Sequence, residues 1–275
     1  MAAQAFALRA AMQSGVPLRG SVLFAATVDD ETAGVWGMKH LKDQGFEETG
    51  WPAPTFHVVG EPTGLNLVGC FKGRLWIRVE TAGLAAHGGD PSRGVNAIDK
   101  MVRIIQALPE TLTGSHPLVG PDTFNVGTIQ GGEKVNLVAD RCQAALDLRI
   151  GPPRGSERVL EEVKERIEDL VASDGTFRIG EIDVFERKEP VEVDPRHPDV
   201  DRFRETVSSI LGRPPEFGGT LAAGDLYYTL SRGEPGIYFG PGHMEMAHRP
   251  NEFIDLEEVR QACVVYAAAI ADFLG

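Results

Sequence analysis

The sequence predicts an α/β domain, an open mixed sheet with flanking helices, interrupted by an α+β module of the ferredoxin-like kind. Three observations carry this. Helical stretches alternate with short apolar runs of strand type up to about residue 60. From residue 73 the pattern becomes strand, helix, two strands, helix, strand, which is the split βαβ order. After residue 190 the first kind of alternation returns, and the chain closes on an amphipathic helix. The expected boundaries are 1–72 and 188–275 for the two parts of the α/β domain and 73–187 for the inserted module.

Taken in order, residues 1–13 space Ala5, Phe6, Leu8, Ala11 and Met12 as a helix, and Ser14-Gly15-Val16-Pro17 ends it. Residues 20–28 read as a buried strand, Trp36 to Leu41 as a helix and Phe56–Gly60 as a second short strand. Residues 74–82 alternate apolar and polar, the mark of a strand with one covered face. Residues 94–108 set Val95, Ile98, Met101, Val102, Ile105 and Leu108 along one helical face. Residues 123–130 and 141–150 read as strands, and 176–185 as another. Between the last two, residues 156–172 form a helix behind a Ser156 cap, with Val159, Leu160, Val163, Ile167 and Leu170 as its stripe. Helices are expected over Asp201–Leu211 and Leu256–Leu274, a helix end over Tyr227–Ser231, and a strand over Gly236–Phe239 before the Gly240-Pro241-Gly242 turn.

Bulk properties narrow the function classes. At 275 residues, 42% hydrophobic and 24% charged, the chain can bury a sizeable core. A net charge of −13 argues against nucleic-acid and anionic-membrane partners. No apolar run reaches the ~20 residues a spanning helix needs, and residues 1–12 lack the basic lead and cleavage site of a signal peptide. Cys70, Cys142 and Cys263 are isolated and odd in number, which suggests core thiols in a reducing, cytoplasmic compartment.

Three segments carry metal-binding chemistry. Asp30-Glu31 follows the apolar run Ser21–Val28, Glu61 follows the second short strand in Gly60-Glu61-Pro62-Thr63, and His248 lies in Ala247-His248-Arg249-Pro250-Asn251-Glu252. Carboxylates at the ends of buried strands project into the crevice where open α/β sheets bind ligands. With one imidazole they suit a hard or borderline divalent metal. In the inserted module, Ala86-His87-Gly88-Gly89 is a small-residue turn that admits close approach of a ligand or partner. Asn136 and Arg149 bracket a hairpin and could donate to a carboxylate or an oxyanion.

These residues, with Lys72-Gly73, the segment Pro91–Ile98 and Asp147-Leu148-Arg149, make the chain similar to the zinc-dependent aminoacylase family. That family includes acetylornithine deacetylase, succinyl-diaminopimelate desuccinylase and glutamate carboxypeptidase; the Glu-Pro-Thr motif looks most like its deacetylase and desuccinylase branch. The resemblance implies a catalytic α/β domain with an inserted lid/dimerisation domain, acting as a homodimer on N-acyl amino acids or small dipeptides. It implies two zinc ions per subunit, with cobalt or manganese as substitutes. By position it implies Glu31, Glu61 and His248 as metal ligands and Asp30 as general base. It implies His87 as the lid histidine that reaches the partner subunit's site and holds the oxyanion, and Asn136 and Arg149 as substrate-binding residues. Residues 220–228 are expected to line the pocket.

Two departures from the family pattern shape the expectation. The early His-x-Asp motif and the later metal-bridging Asp have no counterpart before Met1–Met12, so the catalytic domain is expected to be incomplete at its N-terminus, with weak or single-site metal binding and impaired activity. A non-catalytic dimerising remnant is the alternative. The general-base position holds Asp30 where the family has Glu, one methylene shorter, and a shift of about an ångström can cost on the order of a hundredfold in rate.

Overall fold

The computed structural model describes residues 1–30, 35–45, 48, 50–52, 54–222, 224–230 and 233–275. Its regular elements, in chain order, are α1 (Ala2–Gln13), β1 (His57–Val59), β2 (Leu67–Phe71), β3 (Gly73–Ala82), α2 (Ala97–Ala107), β4 (Ser115–His116), β5 (Gly120–Pro121), β6 (Thr123–Gly131), β7 (Arg141–Ile150), α3 (Ser156–Ser173), β8 (Arg178–Ile179), β9 (Asp183–Lys188), β10 (Val191–Glu192), α4 (Pro198–Leu211), β11 (Phe217–Thr220), α5 (Leu226–Leu230), β12 (Gly236–Tyr238) and α6 (Leu256–Leu274). Two compact units result: Met1–Cys70, Glu192–Gly219 and Gly224–Gly275 form one, Phe71–Val191 and Thr220–Ala223 the other. No described helix is long and apolar enough to cross a membrane.

The first unit is built on a mixed sheet ordered β1-β12-β2-β10, with β11 also paired to β2. β1 and β12 run parallel, Val59 opposite Tyr238, and β12 runs antiparallel to β2. Both parallel strands are short; β12 is buried along its length, as a strand covered on both faces is, while β1 is half-buried. Ile237 and Phe239 are fully buried, and Phe239 meets Phe203 of α4 and Tyr266 of α6 edge-on at 5.3 and 5.5 Å between ring centres. Helix α1 packs on α6 through the small residues Ala3, Ala7 and Ala11, which recur every four positions.

The second unit is built on one five-stranded antiparallel sheet ordered β6-β7-β3-β8, with β9 also paired to β3. Ten residue pairs register β3 against β7, from Gly73 opposite Ile150 to Ala82 opposite Arg141. The alternation seen in the sequence sorts the faces: Leu75, Ile77 and Val79 of β3 and Ala144, Leu146 and Leu148 of β7 are buried against α2 and α3. On α3 the buried stripe Val159, Leu160, Val163 and Ile167 falls where its spacing put it. Truncating a fully buried residue such as Val163 to Ala would leave a cavity on the order of a few kcal/mol in cost.

Several expectations are corrected. Residues 20–28 form no strand: they make no ladder with any described strand, and Val22, Phe24 and Val28 are exposed. An apolar run becomes a strand only when neighbours take its backbone hydrogen bonds. Leu23–Val28 instead line an open apolar groove with Trp36, Leu41 and Trp51. The helix expected over Trp36–Leu41 is two π-helical turns, Val35–Lys39 and Leu41–Gly45, the first of them kinked by non-helical backbone at Gly37. Helix α2 turns Met101 and Ile104 inward and leaves Val102 41% exposed, so its buried face is rotated from the one its spacing suggested. Ser156 is the first residue of α3 rather than its cap; its N–H donates to Glu189 Oε2 at 2.7 Å and its hydroxyl to Glu189 Oε1. The strand expected over 176–185 is split into β8 and β9. Cys70 and Cys142 are core thiols as expected, while Cys263 is only partly buried.

Candidate functional site

In the first unit, the carboxyl ends of β1 and β12 lead into two loops that are stitched together. Glu61 lies two positions past the end of β1, and Gly240-Pro241-Gly242 begins two positions past the end of β12. Leu65 N–H donates to Gly240 O at 3.0 Å, Gly64 N–H to Gly242 O at 2.7 Å, and Gly240 N–H to Thr63 Oγ1 at 3.1 Å. Only glycine fits at 240, because a Cβ there would lie 2.6 Å from the Glu61 carbonyl oxygen. Gly242 carries a φ of 85°, and its N–H donates to Glu258 Oε2 at 2.7 Å, which ties the loop to the first turn of α6. After a single 3-10 turn, Met244–Met246, the chain reaches His248, which is exposed and holds a left-handed φ of 60°. Such backbone is uncommon away from glycine and gathers at functional positions.

Asp30 lies at the exposed end of the segment that precedes the π-helical turns. Its neighbour Asp29 has a φ of 68° and accepts the Trp36 N–H on Oδ2 at 3.0 Å. Glu31, the first expected metal ligand, lies outside the described residues. Tyr238, at the end of β12, reports the local electrostatics. Burial raises its phenol well above the ordinary tyrosine range; Leu226 N–H, donating to the hydroxyl at 3.2 Å, offsets part of this, and the carboxylates of Glu61, Asp225 and Asp30 raise it further. Acids from three separate segments therefore bear on one buried hydroxyl. Burial and the Glu61 carboxylate raise Tyr266 in the same direction. Asp225, only 3% exposed, falls in the expected pocket segment 220–228; Tyr238 was not anticipated, and its one sequence signal is a phenol at the end of an apolar strand.

The donor chemistry of Glu61 and His248 suits a divalent cation. Among the described residues, however, no three His, Cys, Asp or Glu side chains gather as a metal-binding group. The described donors alone do not make a metal centre; Glu31, which completes the expected ligand set, lies outside the described residues.

In the second unit the structure brings two expected residues together and sets the third apart. His87 bridges to Leu137 in antiparallel fashion, Val138 N–H donates to Ala86 O at 2.9 Å, and Gly88 N–H donates to Asn136 O at 2.8 Å. The backbone segments that carry His87 and Asn136 are thus paired, His87 opposite Leu137 and Gly88 bonded to Asn136, beyond the Ala82 and Arg141 end of the β3–β7 ladder. Gly89 N–H donates to His87 Nδ1 at 3.0 Å, so Nδ1 is an acceptor and the neutral ring carries its proton on Nε2. His87 is exposed, and that Nε2–H is a donor suited to a developing oxyanion. Arg149 lies at the other end of the ladder, opposite Arg74, eight residues along β3 from Ala82. At ~3.4 Å per residue this is roughly 27 Å. Asp147 clasps it, Oδ1 accepting from Nε at 2.8 Å and Oδ2 from Nη2 at 3.0 Å.

Comparison with known proteins bears on both units. Residues 71–175 match the peptidase dimerisation domain. The acetylornithine deacetylase of Pectobacterium atrosepticum is 29% identical over 258 residues, 90% of this chain and 63% of that protein. A peptidase M20 domain-containing protein of Schizosaccharomyces pombe is 30% identical over 260 residues, 94% of this chain and 57% of that protein. Among solved structures, a tripeptidase from Staphylococcus aureus shares the fold with a TM-score of 0.78 at 22% identity, covering 98% of this chain and 68% of that one. The chain thus spans about 63% or less of the length of these two curated relatives.

Proposed function

We propose that this chain, which belongs to the M20 peptidase family, hydrolyses the amide bond of N-acyl amino acids or small peptides, with zinc as its metal, as a homodimer. The observation that carries the proposal is the stitched pair of loops at the carboxyl ends of β1 and β12, which delivers Glu61 and the segment bearing His248 to one end of the sheet. Glu31, Glu61 and His248 are the proposed metal ligands. Asp30 is the proposed general base: it takes a proton from the attacking water and hands it to the leaving amine, the work of a positioned carboxylate. His87, with its proton on Nε2, is the proposed oxyanion donor, helped by Asn136. Arg149 is the proposed receptor for the substrate carboxylate.

The geometry of the second unit supports the dimer. A small substrate cannot touch Arg149 and His87 of one copy when roughly 27 Å of ladder lies between them. Two copies, each lending one end of its sheet, can supply both groups to one substrate. The match of residues 71–175 to a dimerisation domain supports the same arrangement.

The test is hydrolysis of N-acetyl-L-ornithine, N-succinyl-L-diaminopimelate, other N-acyl amino acids and dipeptides, with zinc, cobalt or manganese added. Turnover that is abolished by chelation and by Glu61→Ala is the expected result. Absence of turnover of every substrate with all three metals would defeat the proposal.

A further inference from the structure

On β7, Asp147 and Arg149 are two residues apart and therefore share one face of the sheet, the face opposite the buried Leu146, Leu148 and Ile150. A guanidinium offers five N–H donors in a planar fork. Asp147 occupies its side edge, using Nε–H and one proton of Nη2. The end edge, formed by Nη1 and the second Nη2 proton, pairs with no other side chain among the described residues. Arg149 is 25% exposed and Asp147 26%, so the clasp is half-buried yet reachable.

The register of β7 does not depend on the clasp. It is set by backbone pairing on both sides, Arg149 opposite Arg74 and Thr123. A partly exposed ion pair adds little stability by itself. What it does is fix the roll of one guanidinium. The neighbouring cations have their own partners: Arg74 Nη2 donates to Glu186 Oε1 at 2.7 Å, and Lys72 Nζ donates to Pro121 O. Among the described residues, Arg149 is left as a local cation with a pair of parallel donors that no side chain takes.

We propose that Asp147 is a positioning residue: it holds the side edge of Arg149 so that the end edge stands ready as a two-pronged receptor for a carboxylate. The ligand class rests on the functional proposal above, in which that carboxylate is the one carried by an N-acyl amino acid or peptide. Fixing the arginine before the substrate arrives removes an ordering cost from binding, and the two parallel N–H groups select a planar anion over a neutral amide.

The experiment compares N-acetyl-L-ornithine with its carboxamide as substrates of the full chain, in the presence of zinc and at about 0.15 M salt, where long-range repulsion between Asp147 and the anion is screened. In Asp147→Asn, KM for the carboxylate rises about tenfold while kcat changes less than twofold, and KM for the carboxamide stays put. On an Arg149→Gln background the same substitution changes nothing further. Thermal melting checks the fold, and Asp147→Ser takes the place of Asp147→Asn if the latter melts early. An unchanged or lower KM for the carboxylate, or an equal rise for both substrates, overturns the proposal. A parallel arm, calorimetric titration of the metal-free protein with the same two molecules, needs no turnover. If no chain hydrolyses either substrate, the functional proposal falls, while the calorimetry still decides this one. A preference for the carboxylate that shrinks about tenfold in Asp147→Asn upholds it; equal affinity of the wild-type chain for both molecules overturns it.

Discussion

Gly240 presses against Glu61 so closely that a side chain at position 240 would place its Cβ 2.6 Å from the Glu61 carbonyl oxygen. The loop after β12 is therefore built around the turn that carries the proposed metal ligand. Gly240→Ala must move one of two backbones, at about 1–3 kcal/mol of stability. An accompanying shift of about an ångström in Glu61 lowers kcat/KM on the order of a hundredfold. Chemical denaturation and steady-state kinetics on the same variant separate the two effects, and a fully active Gly240→Ala would contradict the placement.

His87 accepts the Gly89 N–H on Nδ1 and so keeps its own proton on Nε2. If that proton stabilises an oxyanion, His87→Ala lowers kcat about a hundred- to a thousandfold with little change in KM. A rise in KM at constant kcat would make His87 a binding group instead.

Asp122 has a fully buried carboxylate that accepts from Arg154 Nη1 at 2.7 Å and from Gly151 N–H at 2.8 Å. Asp122→Ala leaves a mostly buried guanidinium and a backbone donor without their acceptor, so a loss of about 3–5 kcal/mol is expected. Equilibrium urea unfolding measures it, and a loss under about 1 kcal/mol would mean that Arg154 finds compensation in Glu162.

Tyr238 and Tyr266 both hold their phenol protons more tightly folded than unfolded, chiefly because burial disfavours the anion. A raised pKa means that the folded state binds more protons once the unfolded phenol begins to ionise. The stability they contribute is thus complete below about pH 10 and falls as pH rises above it. The alkaline limb of a stability–pH curve is predicted to be shallower in Tyr238→Phe. Identical limbs in the two proteins would count against the buried setting of this phenol.

Much of the architecture was legible in the sequence because it is carried by period. The two-residue alternation of 74–82 and the stripe of 156–172 each name a buried face without reference to distant residues. Features that depend on partners far along the chain were not legible. The run 20–28 is apolar enough for a strand but has no ladder partner among the described residues, and the start of α3 is capped by Glu189, thirty-three residues beyond Ser156. The candidate site divides in the same way. Glu61 and His248 stood out because turn-forming glycines and prolines flank them, whereas the distance between Asn136 and Arg149 follows from hairpin register, which the twelve intervening positions do not reveal. The clasp on Arg149 needed side-chain geometry to be seen.

Sharing of one active site between two copies is tested most directly by mixing inactive chains. Glu61→Ala and His87→Ala are purified separately, then dissociated and reassociated together. If Glu61 of one copy works with His87 of the other, half of the randomly formed dimers carry one intact site, and activity returns to about a quarter of wild type. Activity that never exceeds the sum of the two separate variants would show that both residues serve within a single chain.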